Sequence, residues 1–165
     1  MIKTAIITLS DKGSRGERED LSGPAIAEMI KGINAEVAFY EIVPDEKELI
    51  KEKLIYYADR ADLILTTGGT GLSPRDVTPE ATLQVIEREI PGIAEAMRMG
   101  GLQKTKRAML SRAVAGVRGN ALIINMPGSP KAIKEGLEII MDVIPHAVEK
   151  IKGSMEDCGK EDGVR

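Results

Sequence analysis

Tryptophan is absent from this 165-residue chain, and its aromatic complement is one phenylalanine and three tyrosines. A single-stranded nucleic-acid platform, which stacks bases on aromatic rings, is therefore not expected, and the core has to be aliphatic. Cysteine and histidine occur once each, as Cys158 and His146. No intrachain disulfide can form, and a zinc site of Cys and His ligands cannot be assembled. A Ser-His-Asp hydrolase would have to use His146, which falls in a C-terminal helical segment with no nucleophile motif beside it. Neither sign of charge dominates: 23 Lys and Arg against 26 Asp and Glu give −3, which implies no polyanion-binding surface. No apolar run approaches the ~20 residues needed to span a bilayer. Met1-Ile2-Lys3-Thr4 enters a strand at once without a signal-peptide pattern, so a cytoplasmic location is expected.

What is present reads as one α/β domain over residues 1–152, followed by a flexible charged tail, 153–165. Ile2 to Leu9 carries Ala5-Ile6-Ile7 and reads as a central parallel strand, apolar on both faces. A polar loop from Ser10 and Asp11 runs on through Asp20, and Asp11 there suits a local side-chain turn. Ser22-Gly23-Pro24 opens a helix with Ile26, Met29, Ile30 and Ile33 on one face. Ala35 to Ile42 alternates and reads as an outer strand. Asp45 with Glu48 three positions later has the spacing of a capping box, ahead of a helix with Leu49 or Ile50, Leu54, and Tyr57 or Ala58 inward. Asp62 to Thr67 and Asn120 to Asn125 are further strands, with a short one at Val114 to Val117.

The chain is organised around residues 63–80. An apolar run, Leu63 to Leu65, stops at a loop with three glycines in four positions, Gly68, Gly69 and Gly71, interleaved with Thr66, Thr67 and Thr70. Such a strand end offers amide and hydroxyl donors to an anion, although a tight structural turn would use glycines in the same way. Neither the P-loop spacing nor the third glycine of a dinucleotide fingerprint is present. Pro74-Arg75-Asp76 puts a cation beside a carboxylate, and Thr78-Pro79 reads as N-cap and first residue of a helix continuing through Ile90. Ile93 to Gly100 reads as a short amphipathic helix broken by Gly100-Gly101. Lys104, Lys106, Arg107 and Arg112 form the densest positive patch, which suits either a solvated face or a polyanionic substrate. A second strand–glycine–helix junction follows at Met126-Pro127-Gly128-Ser129-Pro130-Lys131, with Ser129 as N-cap; its helix buries Ile133, Leu137 and Ile140. A last helix runs from near Pro145 to Gly153.

Alternating strands and helices predict a three-layer α/β sandwich with a mainly parallel sheet. In such a sheet the loops at Ser10-Asp11, Asp45, Thr67 to Asp76 and Gly128 to Lys131 follow strands of like direction and can meet at one edge. Asp45 and Asp76 could each be a cap, but two carboxylates beside two amide-rich turns make a magnesium–phosphate site.

Thr66-Thr67-Gly68-Gly69-Thr70-Gly71 with Arg75-Asp76-Val77-Thr78-Pro79-Glu80-Ala81-Thr82 resembles the signature of the molybdenum-cofactor biosynthesis domain. Ser10-Asp11 with Gly23-Pro24, Pro44-Asp45-Glu46, and Leu110-Ser111-Arg112 with Asn125 to Lys131 fit the same pattern in register, over about residues 3–152. The chain is most similar to the single-domain molybdopterin adenylyltransferases, a group related to the amino-terminal domain of gephyrin. The resemblance implies a Mg²⁺-dependent transfer of AMP from ATP to the terminal phosphate of molybdopterin, releasing pyrophosphate. It matches the family's two essential carboxylates to Asp45 and Asp76, as catalytic residues and metal ligands. Substrate contacts are expected at Ser10, Asp11, Thr67, Gly68, Gly69, Thr70, Gly71, Ser111, Arg112, Gly128, Ser129 and Lys131. The resemblance also implies a homotrimer and a transient contact with the protein that later inserts the metal. The rival reading is a molybdopterin-binding paralogue or trimeric scaffold of the same family that performs no chemistry.

Overall fold

Ala5, Ile6 and Ile7 are all fully buried, because successive side chains of β1 (Ile2–Leu9) leave for opposite faces of a sheet that is covered on both sides. The structure is a computed structural model that describes residues 1–154; from residue 155 on, the expected charged tail lies outside the described residues. Six strands form one sheet in the order β2-β1-β3-β6-β5-β4. β2 (Ala35–Val43), β1, β3 (Leu63–Thr67) and β6 (Ala121–Met126) run parallel, while β5 (Ala115–Arg118) and β4 (Arg88–Glu89) are antiparallel additions. Ile6, Leu65, Leu122 and Ile124 face a core closed by α2 (Ser22–Met29), α5 (Pro91–Leu102), α6 (Pro130–Ile140) and α7 (Ile144–Ile151). Ile7, Ile64 and Ile123 face a second core closed by α3 (Lys47–Ala58) and α4 (Thr78–Leu83). Each such isoleucine, fully buried, contributes about 1.5–3 kcal/mol, so these layers supply most of the drive to fold. The three-layer, mainly parallel arrangement expected from the sequence is the one found.

Register sets up the site. Leu9 pairs with Val43, and Thr8, Thr67 and Met126 lie in one row across β1, β3 and β6. Four strands therefore end level at one edge, and their following loops emerge together. β1 sends its chain to β2 on one side and has β3 on the other, which is the place in an open α/β sheet where ligands bind.

Three expectations are corrected by packing. The helix starting at Thr78 does not continue to Ile90; it ends at Leu83, and Arg88–Glu89 pairs with Val117 and Gly116 as an edge strand. Glu87 N donates to Val117 O at 2.8 Å and Ile90 N to Ala115 O at 2.8 Å, so the open edge of β5 takes the amides a helix would have used. Gly100 and Gly101 do not break a helix but lie within α5. A Cβ on Gly100 would collide with Ile139 of α6, and one on Gly101 would sit 2.8 Å from the Ala108 Cβ, so the pair permits close approach. Finally, the loop after β1 begins with a helical turn, α1 (Asp11–Ser14), whose Gly13 amide donates to the N-cap Ser10 Oγ at 2.9 Å.

Candidate active site

The loops after β1, β2, β3 and β6 enclose a cavity of about 610 Å³. Ser10, Asp45, Thr67, Gly68, Gly69, Asp76, Gly128 and Ser129 all line it, so eight of the residues singled out in the sequence share one space. Thr70, Gly71 and Ser111 line a second, more apolar cavity of about 350 Å³, and Ser129 stands in the wall common to both. Asp11, Arg112 and Lys131 line neither.

The glycine loop is shaped by close approach. Gly68 has φ 94°, and a Cβ there would lie 2.5 Å from the Leu9 carbonyl oxygen. Gly69 has φ 66°, and its Cβ would strike the Thr78 hydroxyl and come within 3.2 Å of Asp45 Oδ1. Both the positive φ and the space demand glycine at these two positions. Thr78 does not cap α4, as expected from the sequence; it is the first helical residue, fully buried, and its hydroxyl donates to Gly68 O at 3.0 Å. Beneath the loop, buried Asn125 donates to Thr66 Oγ1 at 3.0 Å and Thr82 Oγ1 at 2.9 Å, and accepts from Val114 N at 3.1 Å. Thr67 donates its hydroxyl to Pro127 O at 2.7 Å and Ser22 donates to Gly128 O at 2.7 Å. Those two bonds tie the second glycine turn to β3 and α2.

The carboxylates are held differently from a helix cap. Helix α3 starts at Lys47 after Glu46, without a side-chain cap, so the capping-box reading of Asp45 fails. Asp45 Oδ2 instead accepts from Asp11 N at 3.0 Å, and Asp11 Oδ1 accepts from Asp45 N at 3.0 Å. Asp11 makes no local turn through its carboxylate; Arg75 forks it, Nε to Oδ2 at 2.9 Å and Nη2 to Oδ1 at 2.8 Å. That fork holds the Asp11 carboxyl below its ordinary value. Burial pushes the Asp45 carboxyl up, the Asp11 amide and Arg75 oppose it, and the like charges of Asp11 and Asp76 add to the rise. Asp76 Oδ2 accepts from Ser73 N at 2.9 Å, closing the turn that carries it.

Arg112 is committed to the loop. It donates to Gly71 O at 2.7 Å and Asp76 O at 2.8 Å and pairs with Glu80, while its own amide donates to Thr70 O at 3.0 Å. Lys131 is exposed in the first turn of α6, whose N-cap is Ser129 as expected, accepting from Ala132 N at 3.2 Å. Asp20 is a site residue the sequence reading passed over. It lines the larger cavity, and its carboxylate accepts from Thr8 Oγ1 at 2.6 Å, Ser22 N at 2.9 Å, Gly23 N at 3.1 Å and the Tyr40 hydroxyl. Its only sequence signal was its place two residues before the Ser22-Gly23-Pro24 helix start.

Such a site can bind a charged, phosphate-bearing ligand beside a less polar group. The Gly68-Gly69 turn lines the same space as two carboxylates, and the adjoining, more apolar cavity suits the less polar part. Comparison with known proteins agrees. The family described as a probable molybdopterin binding domain matches residues 5–146. A molybdopterin adenylyltransferase of Helicobacter pylori is 46% identical over 157 residues, covering 93% of this chain and 89% of that protein. The crystal structure of the molybdopterin biosynthesis enzyme MoaB from Thermus thermophilus superposes with a TM-score of 0.88 at 56% identity, covering 93% of this chain and 98% of that one. A tungsten cofactor synthesizing protein MoaB from Pyrococcus furiosus gives 0.84 at 37% identity, covering 92% and 97%.

Proposed function

The chain belongs to the molybdopterin-binding domain family, and on that premise we propose that it is a molybdopterin adenylyltransferase. A terminal phosphate oxygen of molybdopterin attacks the α-phosphorus of ATP; the new P–O bond forms as the bond to pyrophosphate breaks. The observation that carries this reading is that Asp45, Asp76 and the Gly68-Gly69 turn line one cavity that shares the Ser129 wall with a second.

Transfer between two phosphates needs positioning and charge neutralisation more than covalent help. The attacking oxygen is already an anion, so no general base is required, in keeping with a chain holding one histidine. The Gly69 amide binds a phosphate oxygen without adding charge, while the Gly68 amide is held by Met126 O at 3.4 Å. Arg112, with its guanidinium spent on Gly71, Asp76 and Glu80, shapes the loop instead of touching phosphate. Ser111 and Thr70 face the pterin in the smaller cavity.

The carboxylate pair suits Mg²⁺. Among the described residues no cluster of three or more His, Cys, Asp or Glu forms a complete metal cage. Two carboxylates with phosphate oxygens and water completing the shell is the donor set of a nucleotide-bound magnesium. Asp45 and Asp76 would hold the ion, which when bound there neutralises the triphosphate and stabilises departing pyrophosphate.

The active form is a homotrimer in this reading, supported by Met99, Met109, Leu110 and Leu102, large apolar side chains exposed on α5 and the 3₁₀ turn Lys106–Leu110. A transient contact with the metal-inserting protein would then hand on the product. No helix among the described residues is long and apolar enough to cross a membrane. Incubating the protein with molybdopterin and Mg-ATP should release pyrophosphate and yield adenylylated molybdopterin. Absence of both products, with the pterin bound, would reduce the protein to a binding scaffold. A solution mass of a single 17.8 kDa chain at micromolar concentration would overturn the trimer.

A further inference from the structure

Asp11 and Asp45 are 34 positions apart, yet each carboxylate accepts the other's backbone amide, at 3.0 Å in both directions. This reciprocal clasp leaves Asp45 Oδ1 free of any hydrogen bond within the described residues while fixing Oδ2. The clasp is in turn gripped by Arg75, which forks both Asp11 oxygens. Arg75 is the neighbour of Asp76 in the chain, inside the turn closed by Asp76 N donating to Ser73 O at 2.9 Å. One continuous path, Asp45–Asp11–Arg75–Asp76, thus joins the two carboxylates facing the cavity, although they lie on loops from different strands.

We propose that Asp11 and Arg75 are a positioning pair that sets the orientation and spacing of Asp45 and Asp76, and that neither touches substrate. The proposal rests on the adenylyltransferase reading for its kinetic consequence, but not for its structural one. Asp11 lines neither cavity, and both its carboxylate oxygens are already occupied, so a substrate phosphate has nothing to gain from it. As an exposed ion pair, the fork adds little to stability, because Arg75 is 58% exposed and such pairs are screened by water. Its geometry is what matters: a planar fork fixes two loops relative to each other in a way a single point charge does not. Misplacing a catalytic group by about 1 Å costs roughly 100-fold in rate.

The test compares wild type with D11N, R75A, R75K and D11N/R75A. Amide hydrogen exchange comes first, because it is independent of the reaction. In R75A the Asp11 and Asp45 amides, neither of which Arg75 touches, should exchange at least about tenfold faster, and R75K should restore part of the protection. Unchanged protection overturns the positioning pair whatever the activity. In turnover, D11N and R75A should each lower kcat by about 10- to 100-fold with the KM for ATP moved less than about threefold, and the double variant should be no worse than the poorer single one. Losses that multiply in the double variant overturn the proposal, as does a raised KM with unchanged kcat, which would make Arg75 a substrate ligand. If the wild type releases no pyrophosphate, the adenylyltransferase reading fails and the exchange experiment still judges the pair.

Discussion

The Arg112 side chain and the Gly71 carbonyl, 41 positions apart, are joined by a hydrogen bond of 2.7 Å from Nε. With its second bond to Asp76 O, this guanidinium ties the end of the glycine loop to the turn that carries Asp76. Arg112 directly follows Ser111, which lines the smaller cavity. Replacing it by lysine keeps the charge but removes the fork, so R112K should behave nearly as poorly as R112A. We expect each to lower kcat/KM by about 10- to 100-fold, for molybdopterin as well as for ATP. Steady-state kinetics with each substrate varied in turn checks this; full activity in R112K would show that charge alone suffices.

Asp45→Asn and Asp76→Asn should separate chemistry from folding. Asp45 caps no helix, and Asn retains an oxygen that can accept from the Asp11 amide, so the fold loses little. Only the negative charge disappears. Turnover should fall by about 100-fold or more in each variant, while the thermal midpoint stays within about 2 °C. The Asp76 variant should still bind molybdopterin, because the proposed pterin contacts are at Ser111, which lines the other cavity. Turnover and melting are measured together; full activity in Asp45→Asn would leave the proposed magnesium site without one of its two proposed ligands.

Asn125 should matter for stability. It is fully buried and its amide bridges Thr66 of β3, Thr82 of α4 and the Val114 amide. Alanine there leaves Val114 N–H and the Thr66 hydroxyl without those partners, each unsatisfied group costing roughly 1–3 kcal/mol. We expect N125A to melt roughly 5–15 °C lower. A drop under about 2 °C, read by calorimetry, would mean that water replaces the amide.

How far the sequence revealed these features depended on the range over which each residue acts. Ile6, Leu65 and Ile124 announced their strands by local apolar runs, and parallel strands must end at one edge, so the shared cavity was legible. Ser129 as N-cap was legible too, because a cap acts within three residues. Asp45 misled because its capping-box spacing is local while its true partner, Asp11, is 34 positions away. Arg112 was read as part of a positive patch, since nothing in its neighbours points to Gly71 or Glu80. Arg88–Glu89 was hidden for the same reason: its pattern continues a helix, and the open edge of β5 that captures it appears only after folding.

Acid should weaken the protein through Asp20. Burial raises its carboxyl, but the donations from Thr8, Tyr40, Gly23 and Ser22 outweigh it, and the net shift is below the ordinary value. A group depressed in the folded state contributes stability above its unfolded pKa of about 3.9, and that contribution is lost as pH falls through the folded value. The same contact read from the other side pushes the Tyr40 hydroxyl up to about 12, burial first and the Asp20 hydrogen bond second. Its contribution is present below the unfolded tyrosine value near 10 and is lost as pH rises through the folded one. Asp20→Asn turns an all-acceptor group into one whose amide faces donors. It should therefore cost roughly 1–3 kcal/mol at pH 7. That deficit should shrink as pH drops below about 4, where the unfolded wild-type chain begins to protonate Asp20 and the folded carboxylate follows only at lower pH. Urea unfolding of both proteins from pH 7 down to pH 3 decides it. A deficit that stays constant over that range would show that Asp20 acts through shape alone and not through its charge.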